Sequence, residues 1–428
     1  MLSKEICATY EAILAEELQP AMGCTEPIAI AYASAILRNL LGCEPEEIDV
    51  SLSGNIIKNV KSVIVPATGG MHGIEAAVAA GIISGRYDKK LELLSVLNDD
   101  ARVRIKEYLS ACRMTVSELN TTCTFDLLLY GRADGHSARV QITGYHTNLM
   151  LAERDGINLT AEYSGGSSAS STKNDSDRSL LNVRDIVAFA EETDLVKVRP
   201  YLLRQIEMNT AIAEEGLRNK YGASIGQLIW KDGNISVKDK ARAYAAAGSD
   251  ARMSGCEFPV CILSESGNQG MTASLPVIIY ARENGLDEAT LLRGLIVSDL
   301  ITVHQKTGIG CLSAYCGAIS AGCGCGAGIC YLAGGRYYEI AHTLVNAVAI
   351  LSGTICDGAN PYCAAKIAMA VEAGFMGFEM ASTSRQFYDG DGIVTKGVEN
   401  TIRNIGLLAR DGMGETDKEI IKIMLGKG

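Results

Sequence analysis

Thr307-Gly308-Ile309-Gly310-Cys311, then Cys316-Gly317-Ala318-Ile319-Ser320-Ala321-Gly322-Cys323-Gly324-Cys325, then Cys356-Asp357-Gly358-Ala359-Asn360-Pro361-Tyr362-Cys363 are the segments around which the rest of the chain arranges itself. They belong to one stretch, residues 304–363, that holds seven of the 14 cysteines in 60 residues. Glycines crowd the same stretch and let backbone come close to something bulky. Few ordinary cores need that combination. The stretch reads as the cradle of an inorganic cofactor, with an iron–sulfur cluster the first choice.

Around it the chain is helical almost throughout. Apolar spacing predicts helices over 183–191, 198–218, 238–252, 271–284, 287–305, 313–333, 337–351 and 361–373, followed by a weaker pair at 398–410 and 418–424. Further back the pattern changes. Residues 48–53 alternate like a strand, 60–66 form a short β-branched run, and Ala67-Thr68-Gly69-Gly70-Met71-His72-Gly73 is a Gly-rich turn that opens an Ala-rich helix reaching residue 84. Strands are expected at 91–97, 115–119, 124–130, 138–144 and 148–153, with a helix over 99–111. Residues 164–179 are Ser-rich and polar, a linker or mobile loop. Residues 1–47 offer two helices, 4–18 and 28–41, the second stopped by Gly42. The expected fold is α+β. A mainly helical, cluster-binding catalytic domain is made of 1–47 and 180–428, and a smaller α+β lobe, 48–163, is inserted in it.

Totals bound the function. At 428 residues two lobes are the prior, and 47% apolar against 21% charged residues is a globular profile. A net charge of −11 without a basic cluster argues against nucleic acid or an anionic membrane as partner. The first ten residues carry no basic segment ahead of an apolar core, so no secretory leader is expected. The longest apolar runs, 27–37 and 344–355, fall short of the roughly 20 residues that span a bilayer. Fourteen cysteines in such a chain point to reduced thiols in the cytoplasm, used for packing, metal or catalysis. The oligomeric state stays open, a homo-oligomer included.

Several polar groups sit where chemistry is possible. Cys24 in Gly23-Cys24-Thr25-Glu26-Pro27 falls just before a helix, with Thr25 as N-cap and Pro27 in the first turn. Amides at a helix N-terminus lower a thiol pKa from about 8.5, so a reactive Cys24 is expected, against the plainer reading of a packed small residue. Asn360-Pro361 reads as N-cap and first position of the next helix, which puts Cys363 in its first turn and lets Cys356 and Cys363 converge on one centre. The third thiol chosen is Cys316, with Cys311, Cys323 and Cys325 left as alternatives. The Cys323-Gly324-Cys325 pair reads more readily as small residues that permit tight helix packing. Asn268, Gln269 and Gly270 at a helix start suit a carboxylate, Asn55, Lys58 and Asn59 offer a cation and two amides, and Thr68 sits in a similar Gly-rich helix start, while each motif alone reads more readily as an ordinary turn. His304 and His72 stand alone. No Ser-His-Asp spacing, HExxH or Walker A pattern occurs, and no lysine context suggests pyridoxal phosphate.

Taken together, Gly23-Cys24-Thr25-Glu26-Pro27, Gly54-Asn55-Ile56-Ile57-Lys58-Asn59, Gly267-Asn268-Gln269-Gly270 and Cys356-Asp357-Gly358 with Cys363 resemble the L-cysteine desulfidase family. That family is related to the α-subunit of iron–sulfur-dependent L-serine dehydratases. The resemblance runs from about residue 5 to residue 410. It implies a [4Fe–4S] cluster held by Cys316, Cys356 and Cys363 with one iron open to a small amino acid. It implies Cys24 as base, in the place where the serine enzymes have a histidine motif. Thr25, Glu26, Asn55, Lys58, Asn59, Thr68, Asn268, Gln269 and Gly270 would surround the substrate. Gly358 stands where those dehydratases have proline, and Cys363 follows sooner than its counterpart. The implied reaction is α,β-elimination from L-cysteine to pyruvate, ammonia and sulfide. An L-serine dehydratase with the same cluster, or a non-catalytic metal-binding or redox-sensing protein, are the alternatives.

Overall fold

The computed structural model describes residues 2–164, 176–231, 235–310, 312–424 and 426. Cys311 and most of the Ser-rich segment expected as a linker, residues 165–175, lie outside them. The fold is α+β and mainly helical, as expected. A six-stranded sheet runs in the order Arg113–Glu118, Glu47–Leu52, Asp126–Ala133, His136–Thr143, Leu149–Arg154, Ile157–Asn158. Its first pair is parallel and the rest antiparallel, with Val50 facing Val116 on one side and Leu129 on the other. Ile48, Val50 and Leu52 alternate into the core, which is why this run pairs as a strand. Asp134 and Gly135 both take positive φ, 50° and 79°, and close the two-residue hairpin between Ala133 and His136.

Three expectations are corrected here. The run at 60–66 is not a strand: Gly54–Val60 is a helix, and beyond it only Ile64 bridges to His72. The run at 91–97 lies in 3-10 turns over Tyr87–Val96, kinked at Lys90, where Leu93 and Leu94 are buried side by side. The helix Thr25–Leu41 packs not with the helical bundle but in the sheet lobe, where Ile28, Ile36 and Leu40 share a core with Val50, Leu127 and Val140. It is buried on nearly every side, so its periodicity carried no sign of which lobe it serves. The short helix Ile225–Trp230 was not anticipated.

The bundle is centred on the helix Gly317–Leu332. A Cβ on Gly324 would sit 2.1 Å from Thr302 Oγ1, and one on Gly326 would sit 2.6 Å from the Gly374 carbonyl. Alternate glycines thus admit Glu288–Ile309 on one flank and Cys363–Ser382 on the other. Cys323 and Cys325 are buried between them, in the packing role that the sequence favoured. Among the described residues no helix is long and apolar enough to cross a membrane.

One buried group makes stability pH-dependent. Asp299 accepts a hydrogen bond from Gln205 Nε2 at 3.0 Å through one oxygen and has no partner for the other. Burial raises its carboxyl from 3.8 to about 7. The folded state therefore holds this proton where the unfolded chain has lost it, so the group stabilises in acid and loses that contribution as pH climbs through about 7. Asp299→Asn is expected to be more stable than wild type at about pH 8, and that advantage should shrink by about 2–3 kcal/mol by about pH 5. Melting curves at the two pH values check this; a pH-independent difference sinks it.

Candidate functional site

A two-stranded pairing assembles the site. Pro20–Met22 runs antiparallel to Pro259–Cys261, with Met22 opposite Pro259, and so lays the Gly23-Cys24 turn beside Ser264–Gly270. Cys24 is the N-cap of Thr25–Leu41 and Ser266 that of Gly267–Glu283. Cys316 caps Gly317–Leu332, and Cys363 is the first residue of Cys363–Ser382. Four helix N-termini thereby end at one cavity of about 120 Å³. Their amides make it a place for negative charge.

Cys24, Cys316, Cys356 and Cys363 all line that cavity. Cys316 and Cys356 are locked side by side: the Cys316 amide donates to Thr354 O at 3.0 Å and the Cys356 amide to Ala314 O at 2.6 Å. The neighbouring Cys316 thiol, helped by Lys58, holds the Cys356 thiol below its usual value although burial works the other way. Gly358, with φ +99°, turns the chain back so closely that a Cβ would meet Lys58 O at 2.6 Å. The Cys363 thiol then lies 3.7 Å from Gly358 O, pushed up to about 11 chiefly by burial. The helix here starts at Cys363, with Tyr362 as its cap, rather than at Pro361. Cys24 is 1% exposed and packs with Val63 and Met253, with Cys363 against the same cluster.

The expected low Cys24 pKa is overturned. Burial raises this thiol to about 12, and nearby Arg252 only partly offsets it. Desolvation of a thiolate outweighs one helix N-terminus.

Of the other residues chosen from sequence, Thr25, Glu26, Asn59, Asn268 and Gln269 line the cavity. Glu26 accepts from Asn59 Nδ2 at 2.8 Å, and Thr25 Oγ1 donates to Glu265 O at 2.9 Å. The side-chain oxygens of Asn59, Asn268 and Gln269 are buried without a hydrogen-bond partner. Four others do not line it. Lys58 Nζ pairs with Asp417 at 2.5 Å and donates to Cys356 O at 3.3 Å. Asn55 donates to Leu312 O and Asp417, Thr68 Oγ1 donates to Val65 O within its own turn, and Gly270 is pressed on the Cys261 carbonyl.

Sequence reasoning missed His146, Arg252, Lys306 and Lys366, which also line the cavity, and passed over Glu265. His146 is buried against Phe125, with Glu265 Oε2 3.4 Å from its Nδ1. Burial alone would lower its pKa, but Glu265 outweighs that and the value is raised. Nothing local marked His146, a lone histidine in a loop. Ser264, Glu265 and Leu312, also in the wall, hold positive φ of 46°, 61° and 47°, the kind of backbone strain that collects at functional sites.

Among the described residues no three His, Cys, Asp or Glu groups converge closely enough to hold a single metal ion. A cluster is a larger object, met by one thiolate at each ligated iron. Three thiols around one buried, helix-N-terminal cavity, with orphaned amide oxygens beside them, fit such a group.

A UPF0597 protein of Desulfitobacterium hafniense is 53% identical over 97% of this chain and 96% of its own length. Another from Treponema denticola is 44% identical over 99% of both chains, and one from Lachnoclostridium phytofermentans 46% identical over 96% of this chain and 98% of its own. Residues 88–422 match the family model described as serine dehydratase alpha chain. The chain belongs to the serine dehydratase alpha-chain family, whose members depend on iron and sulfur.

Proposed function

We propose that the protein is an iron–sulfur-dependent carbon–sulfur lyase that splits L-cysteine, with water, into pyruvate, ammonia and sulfide. The observation that carries this reading is the shared cavity: Cys24 packs beside Cys363 where Cys316 and Cys356 also open. Cys316, Cys356 and Cys363 would hold a [4Fe–4S] cluster, which when bound supplies an electron-pair acceptor for the departing sulfur.

The chain's own residues handle the rest. Cys24 Sγ takes the α-proton. Its raised pKa makes the thiolate scarce but strongly basic, and the thiol a stable resting place for the proton once taken. His146, held toward its cationic form by Glu265, is a second proton carrier in the cavity for the sulfide or the enamine. The enamine tautomerises and hydrolyses.

The family also favours a second reading, an L-serine dehydratase with the same machinery. Gly358 supports the first: its φ of +99° is closed to proline, so the loop between Cys356 and Cys363 takes a course that a Cys-Asp-Pro element cannot. Assayed without oxygen, iron-loaded protein is expected to turn over L-cysteine with a kcat/KM at least about 10-fold above L-serine. The reverse ratio establishes the dehydratase, and turnover of neither leaves a non-catalytic metal protein.

A further inference from the structure

Arg252 ends the helix Val237–Met253 inside the protein, only 4% exposed, and lines the cavity. Its Nε donates to Gly23 O at 2.9 Å. Among the described residues its two terminal nitrogens make no hydrogen bond and no carboxylate pairs with it. A guanidinium that lines a cavity with its terminal nitrogens unbonded is set to receive an anion. Two glycine motifs are built around it. Gly23, at φ +60°, turns its carbonyl to Nε, and a Cβ on Gly267 would sit 2.5 Å from that same Nε and 2.9 Å from Cζ. The group is close enough to Cys24, Cys363 and His146 to act on the charge of each. Lys58, the cation singled out by sequence, is occupied by Asp417 and does not line the cavity.

We propose that Arg252 is the carboxylate anchor of the site. It grips both carboxylate oxygens of a zwitterionic α-amino acid, while the orphaned oxygens of Asn59, Asn268 and Gln269 accept from the ammonium. This rests on the lyase reading for the substrate class. It adds the residue that orients Cα toward Cys24, since the guanidinium is tied to the carbonyl directly before that cysteine.

The test separates the two claims. Calorimetric binding of L-alanine, which has no leaving group, is compared with L-alaninamide on the anaerobic iron-loaded protein and its variants. Wild type is expected to prefer L-alanine by at least about 10-fold. Arg252→Gln should abolish the preference, and Arg252→Lys should keep part of it. Gly267→Ala, which retains the arginine but displaces its guanidinium, should also weaken it. Should Arg252 only brace the Gly23 turn, both ligands would weaken equally and the ratio would survive, which overturns the anchor. Absence of L-alanine binding to wild type overturns it too. Sulfide release from L-cysteine by wild type, with an unchanged ratio in Arg252→Gln, overturns the anchor alone. No sulfide release, with the L-alanine preference lost in Arg252→Gln, overturns the lyase reading and supports the anchor.

Discussion

Cys356→Ala protein, purified without oxygen, is expected to emerge colourless, nearly free of iron, and unable to release sulfide. Of the three proposed ligand thiols Cys356 alone is held below its usual value, by the neighbouring Cys316 thiol and by Lys58. Its amide donates to Ala314 O and its carbonyl accepts from Lys58 Nζ. Alanine leaves Cys316 and Cys363 as an incomplete pair for a cluster that needs a thiolate at each ligated iron. Loss of an outer partner already costs metal affinity about 10–100-fold, so loss of a ligand should exceed that. Iron-loaded wild type should also melt above the variant, with the difference vanishing after chelation, because metal binding and folding are coupled. Full iron content with normal turnover in Cys356→Ala would remove the cluster from this cavity.

Cys24→Ala should do the opposite: keep its iron and colour but lose about 10²–10⁴ in kcat, the range of a missing general base. The thiol sits on the cavity wall against Val63 and Met253, so truncation should lower stability by only about 1–2 kcal/mol. Cys24→Ser replaces the thiol by a far weaker acid and should not recover rate. Iron loss in either variant would make Cys24 a ligand, and an unchanged kcat would dismiss it from the reaction.

How far the chain can be read without its fold differs from element to element. The helices Asp99–Ala111 and Tyr337–Leu351 begin and end where apolar spacing put them, because caps and periodicity are local properties. The runs at 60–66 and 91–97 failed because β-branched and leucine residues suit a strand and a tight turn alike, and only neighbours decide. Cys24, Cys316, Cys356 and Cys363 were legible because thiols beside helix starts and glycines are rare in ordinary cores. Lys58 and Asn55 looked like ligand-binding groups, yet Asp417, more than 300 positions away, holds them both.

By itself the sequence determined the α+β class, the helical second half, and a thiol set suited to iron and sulfur. These follow from periodicity, capping and side-chain chemistry, which travel with the residue. The tertiary structure alone decided that the four thiols share a cavity, that the helix Thr25–Leu41 serves the sheet lobe, and that Arg252 and His146 join the site. It alone decided that the Cys24 pKa rises. Burial and through-space charge act over a few ångströms between residues hundreds of positions apart, and no local pattern encodes that distance.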